Sequence, residues 1–140
     1  MTDIDPTDTD PTAFIRRAMP LCDTLGMTAS TLSPACVELH MSWADGLCTS
    51  NRLLHGGALM ALIDSAAATA AFLNLPDHAT GTSTIESKTN FLGAVSDGTV
   101  SATAVPLHVG STTIVVETEV RHDGRLVAKA TQTQIVLRRS

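Results

Sequence analysis

The chain has 140 residues, a formal net charge of −5 and only 3% aromatic residues. That suits one domain with a real core and offers neither the basic footprint nor the stacking platform of a nucleic-acid binder. Cys22, Cys36 and Cys48 lack the close spacing used for zinc or redox exchange, and an odd number of thiols without a recognisable signal sequence reads as reduced and cytoplasmic.

Residues 1–12 hold four aspartates, two prolines and no base, which reads as a disordered acidic tail. Residues 13–34 are expected to be a short helix and connector. Thr12 is placed to cap a helix over Ala13 to Met19, Pro20 limits it, and an irregular turn falls near Gly26. From residue 35 onward the pattern is that of the main domain, 35–140. Val37, Leu39 and Met41 alternate with polar residues and predict a strand. The Asp-Gly pair in Trp43 to Ser50 marks a turn.

The stretch from Asn51 to Leu75 organises the rest. After His55-Gly56-Gly57 it is apolar or small, has no proline or base, and predicts a helix of about 17 to 19 residues. Apolar residues fall on nearly every face, so the fold should wrap around it. Asp64 and Ser65 interrupt it and it is short for a bilayer, so no stable membrane association is expected. Past Gly57 its one charge is Asp64. A carboxylate there is costly unless it is hydrogen-bonded, paired or exposed at a cleft.

Residues 76–81 end the helix and turn the chain. The period then changes to two in four runs, Thr82 to Leu92, Thr99 to Leu107, Thr113 to Arg121 and Leu126 to Leu137. Short turns separate them at Ser96-Asp97-Gly98, His108 to Ser111 and His122 to Arg125. An antiparallel meander follows, giving an α+β domain of five strands curved around one long helix. Glu86, Lys88, Glu117, Glu119, Arg121 and Lys129 fall on one face; Ile85, Phe91, Ile114, Val116, Ala128 and Ala130 fall on the other. One such sheet leaves the far side of the helix open, so a two-fold oligomer is expected to complete the core.

Two features carry chemistry. Gly56 and Gly57 at a helix start expose backbone N–H groups where the helix field favours negative charge, and the Gly57 amide could meet a developing oxyanion; the plainer reading is a tight loop-to-helix transition. Asp64 lies two turns further along the same side. It could activate water as a general base or attack a carbonyl directly, and its plainer reading is an interface hydrogen bond. The five histidines, His40, His55, His78, His108 and His122, form no recognised metal pattern.

The segment from His55-Gly56-Gly57 through Asp64-Ser65-Ala66 resembles the signature of the hotdog-fold acyl-CoA thioesterases of the phenylacetate-pathway and 4-hydroxybenzoyl-CoA thioesterase type. The run from Ser83 to Leu92, then His108-Val109-Gly110 and Asp123 to Ala128, resembles the same family's second half. The resemblance implies a hotdog fold whose subunits join their sheets, homodimers with active sites at the interface, often paired again as dimers of dimers. It also implies hydrolysis of an acyl-CoA substrate without a metal or other cofactor. By this likeness Asp64 is the catalytic carboxylate, acting as general base or nucleophile, Gly57 the amide donor and His55 a residue that places the carbonyl or shapes the turn. Ser83, or its neighbour Thr84, supplies a hydroxyl from the partner subunit to orient the water or the acid; Gly56, His108 and Gly110 line the substrate. Relatives often have an asparagine six residues before the histidine and a glycine three before it, where this chain has Thr49 and Arg52. Asn51 is the candidate replacement for the asparagine, and Arg52 is a candidate partner for a substrate carboxylate or phosphate. A hotdog hydratase or dehydratase, or a non-catalytic acyl-CoA-binding protein, are the alternatives.

Overall fold

The computed structural model describes residues 10–140, so most of the acidic segment expected to be a tail lies outside the described residues. Its last residues are helical. Asp10 caps α1 (Pro11–Ala18) by accepting from the Thr12 amide at 3.0 Å, and Pro11 occupies a first-turn position that needs no N–H. Thr12 therefore lies inside the helix and does not cap it; its hydroxyl accepts from the Ala29 amide at 3.0 Å. A short helix, α2 (Pro20–Thr24), and a strand, β1 (Thr28–Leu32), occupy the stretch expected to be irregular. They flank Gly26, whose φ of 67° suits glycine. The sequence TASTL of β1 lacks apolar alternation because this short strand is an outer edge, paired only with β2 (Val37–Ser42).

The long helix, α3, spans Gly56–Phe72, as its composition requires. It packs against β2 and against β3 (Ala79–Phe91), β4 (Thr99–Val109), β5 (Thr113–His122) and β6 (Arg125–Arg138). Leu59, Leu62, Ile63, Ala66, Ala67, Ala70 and Ala71 are buried. Leu62 and Ile63 each contribute roughly 1.5–3 kcal/mol by burial, and the alanines let the sheet approach closely. The helix ends where Leu73 N–H returns to the Thr69 carbonyl at 3.0 Å and the Asn74 side-chain amide donates to the Ala70 and Pro34 carbonyls, both at 2.8 Å. Gly57 and Asp64 are exposed, and Ala61, Ala68 and Phe72 are half-buried. Their spacing of three or four residues makes them one stripe along the open side of the helix.

The sheet has six antiparallel strands in the order β1-β2-β4-β5-β6-β3. This long helix held by a curved antiparallel sheet is the hotdog architecture. Two details differ from the sequence reading: β1 adds a sixth strand, and only β4-β5-β6 form a meander. β3 pairs with β6 and occupies the opposite edge. The stretch 92–98, expected to end in a hairpin turn, is instead a crossover. The Leu92 and Gly93 amides bond the Val127 carbonyl, at 2.8 and 3.1 Å, and the Val95 carbonyl accepts from Leu54 N at 2.9 Å.

β3 is bulged between Thr84 and Glu86. Ile85 falls in the bulge and is 60% exposed rather than in the core. Beyond the bulge Ser87, Thr89 and Phe91 stand opposite Gln132, Ala130 and Ala128 of β6. The outer charged face is as expected, with Arg121 to Glu119 at 2.8 Å and Lys129 to Glu117 at 3.2 Å.

Candidate active site

The loop before α3 is closed by a bridge between Cys48 and Leu54, and His55 N donates to the Leu47 carbonyl at 2.9 Å. This sets His55, in extended backbone, as the helix cap. Its Nδ1 accepts from the Gly57 amide at 2.7 Å. A Cβ on residue 57 would lie 2.9 Å from that nitrogen, so glycine is what lets the ring close over the amide. The Gly57 amide is thus occupied by His55 in this state, which the sequence reading did not foresee. The Gly56 amide has no acceptor among the described residues. A Cβ on Gly56 would meet the Phe91 ring at 3.3 Å, so the aromatic edge of β3 stands against the helix start.

Asp64 is exposed on the open stripe of α3 and is held from one side only. Thr84 Oγ1 donates to its Oδ1 at 2.8 Å, and Gln132 Nε2 donates to the same oxygen at 2.7 Å. Gln134 Nε2 in turn donates to Thr84 Oγ1 at 2.6 Å, which directs the threonine proton to the carboxylate. Oδ2 has no partner among the described residues. Hydrogen bonds to an ionised oxygen are the strong kind and fix the side chain's direction. The arrangement leaves a carboxylate oxygen that can take a proton or attack a carbon.

On either side of Asp64 along the stripe lies open space. An open depression of about 370 Å³ is lined by Leu21, Leu25, Leu47, His55, Gly57 and Ala61. A smaller apolar cavity of about 130 Å³ is lined by Phe14, Met19, Ala68, Phe72 and Thr82.

The remaining candidates fall elsewhere. Ser83 precedes the residue that bonds Asp64 and so points to the other face of β3; within the chain the hydroxyl at Asp64 is that of Thr84. Asn51 and Arg52 share no hydrogen bond with Asp64, His55 or Gly57. The Asn51 amide bonds Thr49 Oγ1 at 3.3 Å. Arg52 pairs with Asp45 at 3.0 Å, and its guanidinium lies 5.2 Å from the Trp43 ring centre. Its φ of 59° is in the left-handed region, where glycine would be unstrained. His108 lies near the end of β4, paired with Val115, and Gly110 begins the β4–β5 turn. Gly110 N donates to the Thr113 carbonyl at 2.9 Å, and a Cβ there would be 2.7 Å from His108 Nε2, so the glycine closes the hairpin.

Gln132 and Gln134, both fully buried, were missed by the sequence reading. Their signal was parity: they continue the inward row of Ala128 and Ala130, where an amide needs a partner. Gln132 Oε1, Ser87 Oγ and Thr89 Oγ1 are buried without a hydrogen-bond partner among the described residues.

Comparison with known proteins gives the context for this arrangement. The sequence model of the Thioesterase superfamily matches residues 51–129. A proposed esterase of Mycobacterium tuberculosis (strain CDC 1551 / Oshkosh), MT1895, is 32% identical over 103 residues, covering 72% of this chain and 74% of that protein. ComA2 of Bacillus subtilis (strain 168), also a proposed esterase, is 49% identical over 63 residues, covering 44% of this chain and about half, 49%, of its own length. Among solved structures, the proposed M. tuberculosis esterase Rv1847/MT1895 superposes with a TM-score of 0.83 at 27% identity, covering 87% of this chain and 99% of that one. A thioesterase family protein from Silicibacter pomeroyi also gives 0.83, at 29% identity over 92% and 97%.

Proposed function

Because this chain belongs to the thioesterase superfamily, we propose that it hydrolyses an acyl-CoA thioester to a carboxylic acid and free coenzyme A. The observation that carries the reading is Asp64, one oxygen fixed by Thr84 and Gln132 and the other open on the exposed stripe.

In one route Asp64 takes a proton from water as the water oxygen attacks the thioester carbon. In the other the carboxylate attacks first, giving a mixed anhydride that water then hydrolyses. In both, the C–S bond breaks and the thiolate of coenzyme A leaves with a proton. The carbonyl oxygen, which gains charge, is received at the helix start, by the Gly57 amide once the His55 ring turns aside, with the Gly56 amide beside it. Water and the chain's own groups suffice for these steps.

Gly57 and Asp64 are seven residues apart, about 10 Å along a helix axis. One carbonyl cannot touch both, so the site is completed by a second copy of the chain. An antiparallel, two-fold pair of α3 helices sets Asp64 of one protomer opposite the helix start of the other. The free edge of β3 and the uncovered stripe of α3 favour this homodimer, and pairing of dimers follows from the family likeness. In that assembly Ser83, on the outward face of β3, is available to a partner. Asn51 remains the candidate to hold the attacking water or the thioester carbonyl, and Arg52, His108 and Gly110 belong to the substrate-binding side of the proposal. Among the described residues no helix is long and apolar enough to cross a membrane, and the free cysteines fit a cytoplasmic place.

The test is release of thiol and acid from phenylacetyl-, benzoyl-, hexanoyl- and lauroyl-CoA. Turnover of at least one supports the reading. Coenzyme A binding with no turnover across the panel refutes it in favour of a binding protein, and addition of water to an enoyl-CoA, assayed beside the panel, without thiol release refutes it in favour of a hydratase or dehydratase.

A further inference from the structure

A second cluster of ligating side chains lies outside the Asp64 network. Asp97 lies near the end of the β3–β4 crossover, His122 is the last residue of β5 and Asp123 opens the β5–β6 turn, yet their ligand atoms all lie within 4.8 Å of one another. His122 Nε2 is 3.3 Å from Asp97 Oδ1 and 3.6 Å from Asp123 Oδ2. The imidazole is nine-tenths buried, and its Nε2 has no hydrogen-bond partner among the described residues, while both aspartates are largely exposed. A buried nitrogen aimed between two carboxylates, with its hydrogen-bonding capacity unused, needs a partner.

We propose that Asp97, His122 and Asp123 bind a divalent first-row cation, with Zn²⁺ the best fit, clipping the β3–β4 crossover to the β5–β6 turn. Zinc bonds of about 2.0–2.1 Å in a tetrahedral shell place neighbouring ligands about 3.3–3.4 Å apart. The two separations from His122 are close to that edge, and the third closes by rotation of two exposed side chains. One imidazole and two carboxylates suit Zn²⁺ or Mn²⁺ and leave a position for water. The backbone holds the site open. A Cβ on Gly98, whose φ is 70°, would lie 3.0 Å from Nε2, and the Gly98 carbonyl is held by the Trp43 amide at 2.7 Å. Sequence spacing hid the cluster because it joins one histidine to an aspartate from a different turn. The clipped crossover also carries the Val95 carbonyl that supports Leu54, next to His55, so the cation steadies the segment beneath the helix start and takes no part in hydrolysis.

The test uses the full chain without an affinity tag, stripped by chelator and titrated with Zn²⁺ by calorimetry and thermal unfolding, with Co²⁺ as an optical probe. The expected result is one ion per chain, a raised Tm, and a cobalt spectrum without thiolate charge transfer. Asp97→Asn and Asp123→Asn, both at exposed positions, should each weaken binding by at least about tenfold and leave the metal-free Tm little changed. Asparagine also tolerates the positive φ at position 123. The absence of saturable Zn²⁺ binding means that His122 is an ion-pair partner only and overturns the proposal. Undiminished binding in the double variant, or a thiolate signature from Cys36 or Cys48, overturns it as well.

Discussion

Replacing Gly57 with alanine separates the chemistry of the helix start from its stability. The new Cβ would sit 2.9 Å from His55 Nδ1 and 3.1 Å from Cε1, closer than atoms pack, so the exposed ring must swing off the amide. Losing that cap costs about 0.5–2 kcal/mol. Alanine inside a helix is favoured over glycine by about 0.8–1 kcal/mol. The two nearly cancel, so urea unfolding should show a net change within about 1 kcal/mol. Activity should behave differently, because the added methyl occupies the approach to the amide on which the thioester carbonyl is proposed to rest. The N–H itself remains, so the loss should approach but not exceed the factor of about 10²–10³ in kcat that follows removal of one such donor. Paired unfolding and thiol-release measurements on the same preparation decide the matter. A folded Gly57→Ala protein with native kcat would refute the proposed role of this amide.

Three further outcomes follow. Gln132→Met removes a donor to Asp64 worth about 1.5–3 kcal/mol and also the unpartnered Oε1, whose burial costs about 1–3 kcal/mol. Stability should therefore change by no more than about 2 kcal/mol while kcat falls at least about tenfold with KM held, and an unchanged kcat in steady-state assays would remove Gln132 from the positioning of Asp64. Arg52→Gly relieves a left-handed backbone costing about 1–2 kcal/mol and loses an exposed ion pair with Asp45 worth about 0–1 kcal/mol. Net stability should rise by about 0–2 kcal/mol, and a several-fold rise in KM for acyl-CoA is expected; an unchanged KM takes Arg52 out of substrate binding. Burial pushes the Cys22 thiol above its ordinary 9.0, outweighing a hydrogen bond from Ser65 and the charge of Arg16. Its folded value exceeds its unfolded one, so its contribution to stability is complete below about pH 9 and is lost as pH rises through the folded value. Thiol labelling should reach Cys36 and Cys48 first and Cys22 only on unfolding; fast labelling of Cys22 in the native protein would contradict its burial.

The long helix was legible because Ala58 to Leu73 is apolar without a breaker, and Asp64 stood out because a charge in such a helix needs a reason. The strands β4, β5 and β6 followed from local alternation and turns. The placement of β3 did not, because pairing with β6 is set by the crossover 92–98 and by contacts far apart in sequence. β1 was invisible since a five-residue edge strand of small and polar residues buries little. At the site, Thr84 and Asp64 could be nominated from sequence, whereas Gln132 and Gln134 become meaningful only once the β3–β6 register sets them beside Thr84. The engagement of the Gly57 amide by His55 depends on a side-chain rotation that no motif encodes. Arg52 shows the reverse: it keeps a side chain at a positive φ where glycine would be unstrained, and nothing in the structure explains that choice.

The most direct test of the account compares native protein with Asp64→Asn for thiol release from the best acyl-CoA substrate, with oligomeric state checked by size-exclusion chromatography with light scattering. Asparagine preserves the shape and can still accept from Thr84 and Gln132, but it neither takes the proton nor attacks the carbonyl. Catalysis by Asp64 predicts a fall of at least about 100-fold in kcat with the assembly intact. Hydrolysis at the native rate by the folded, equally assembled variant would contradict it.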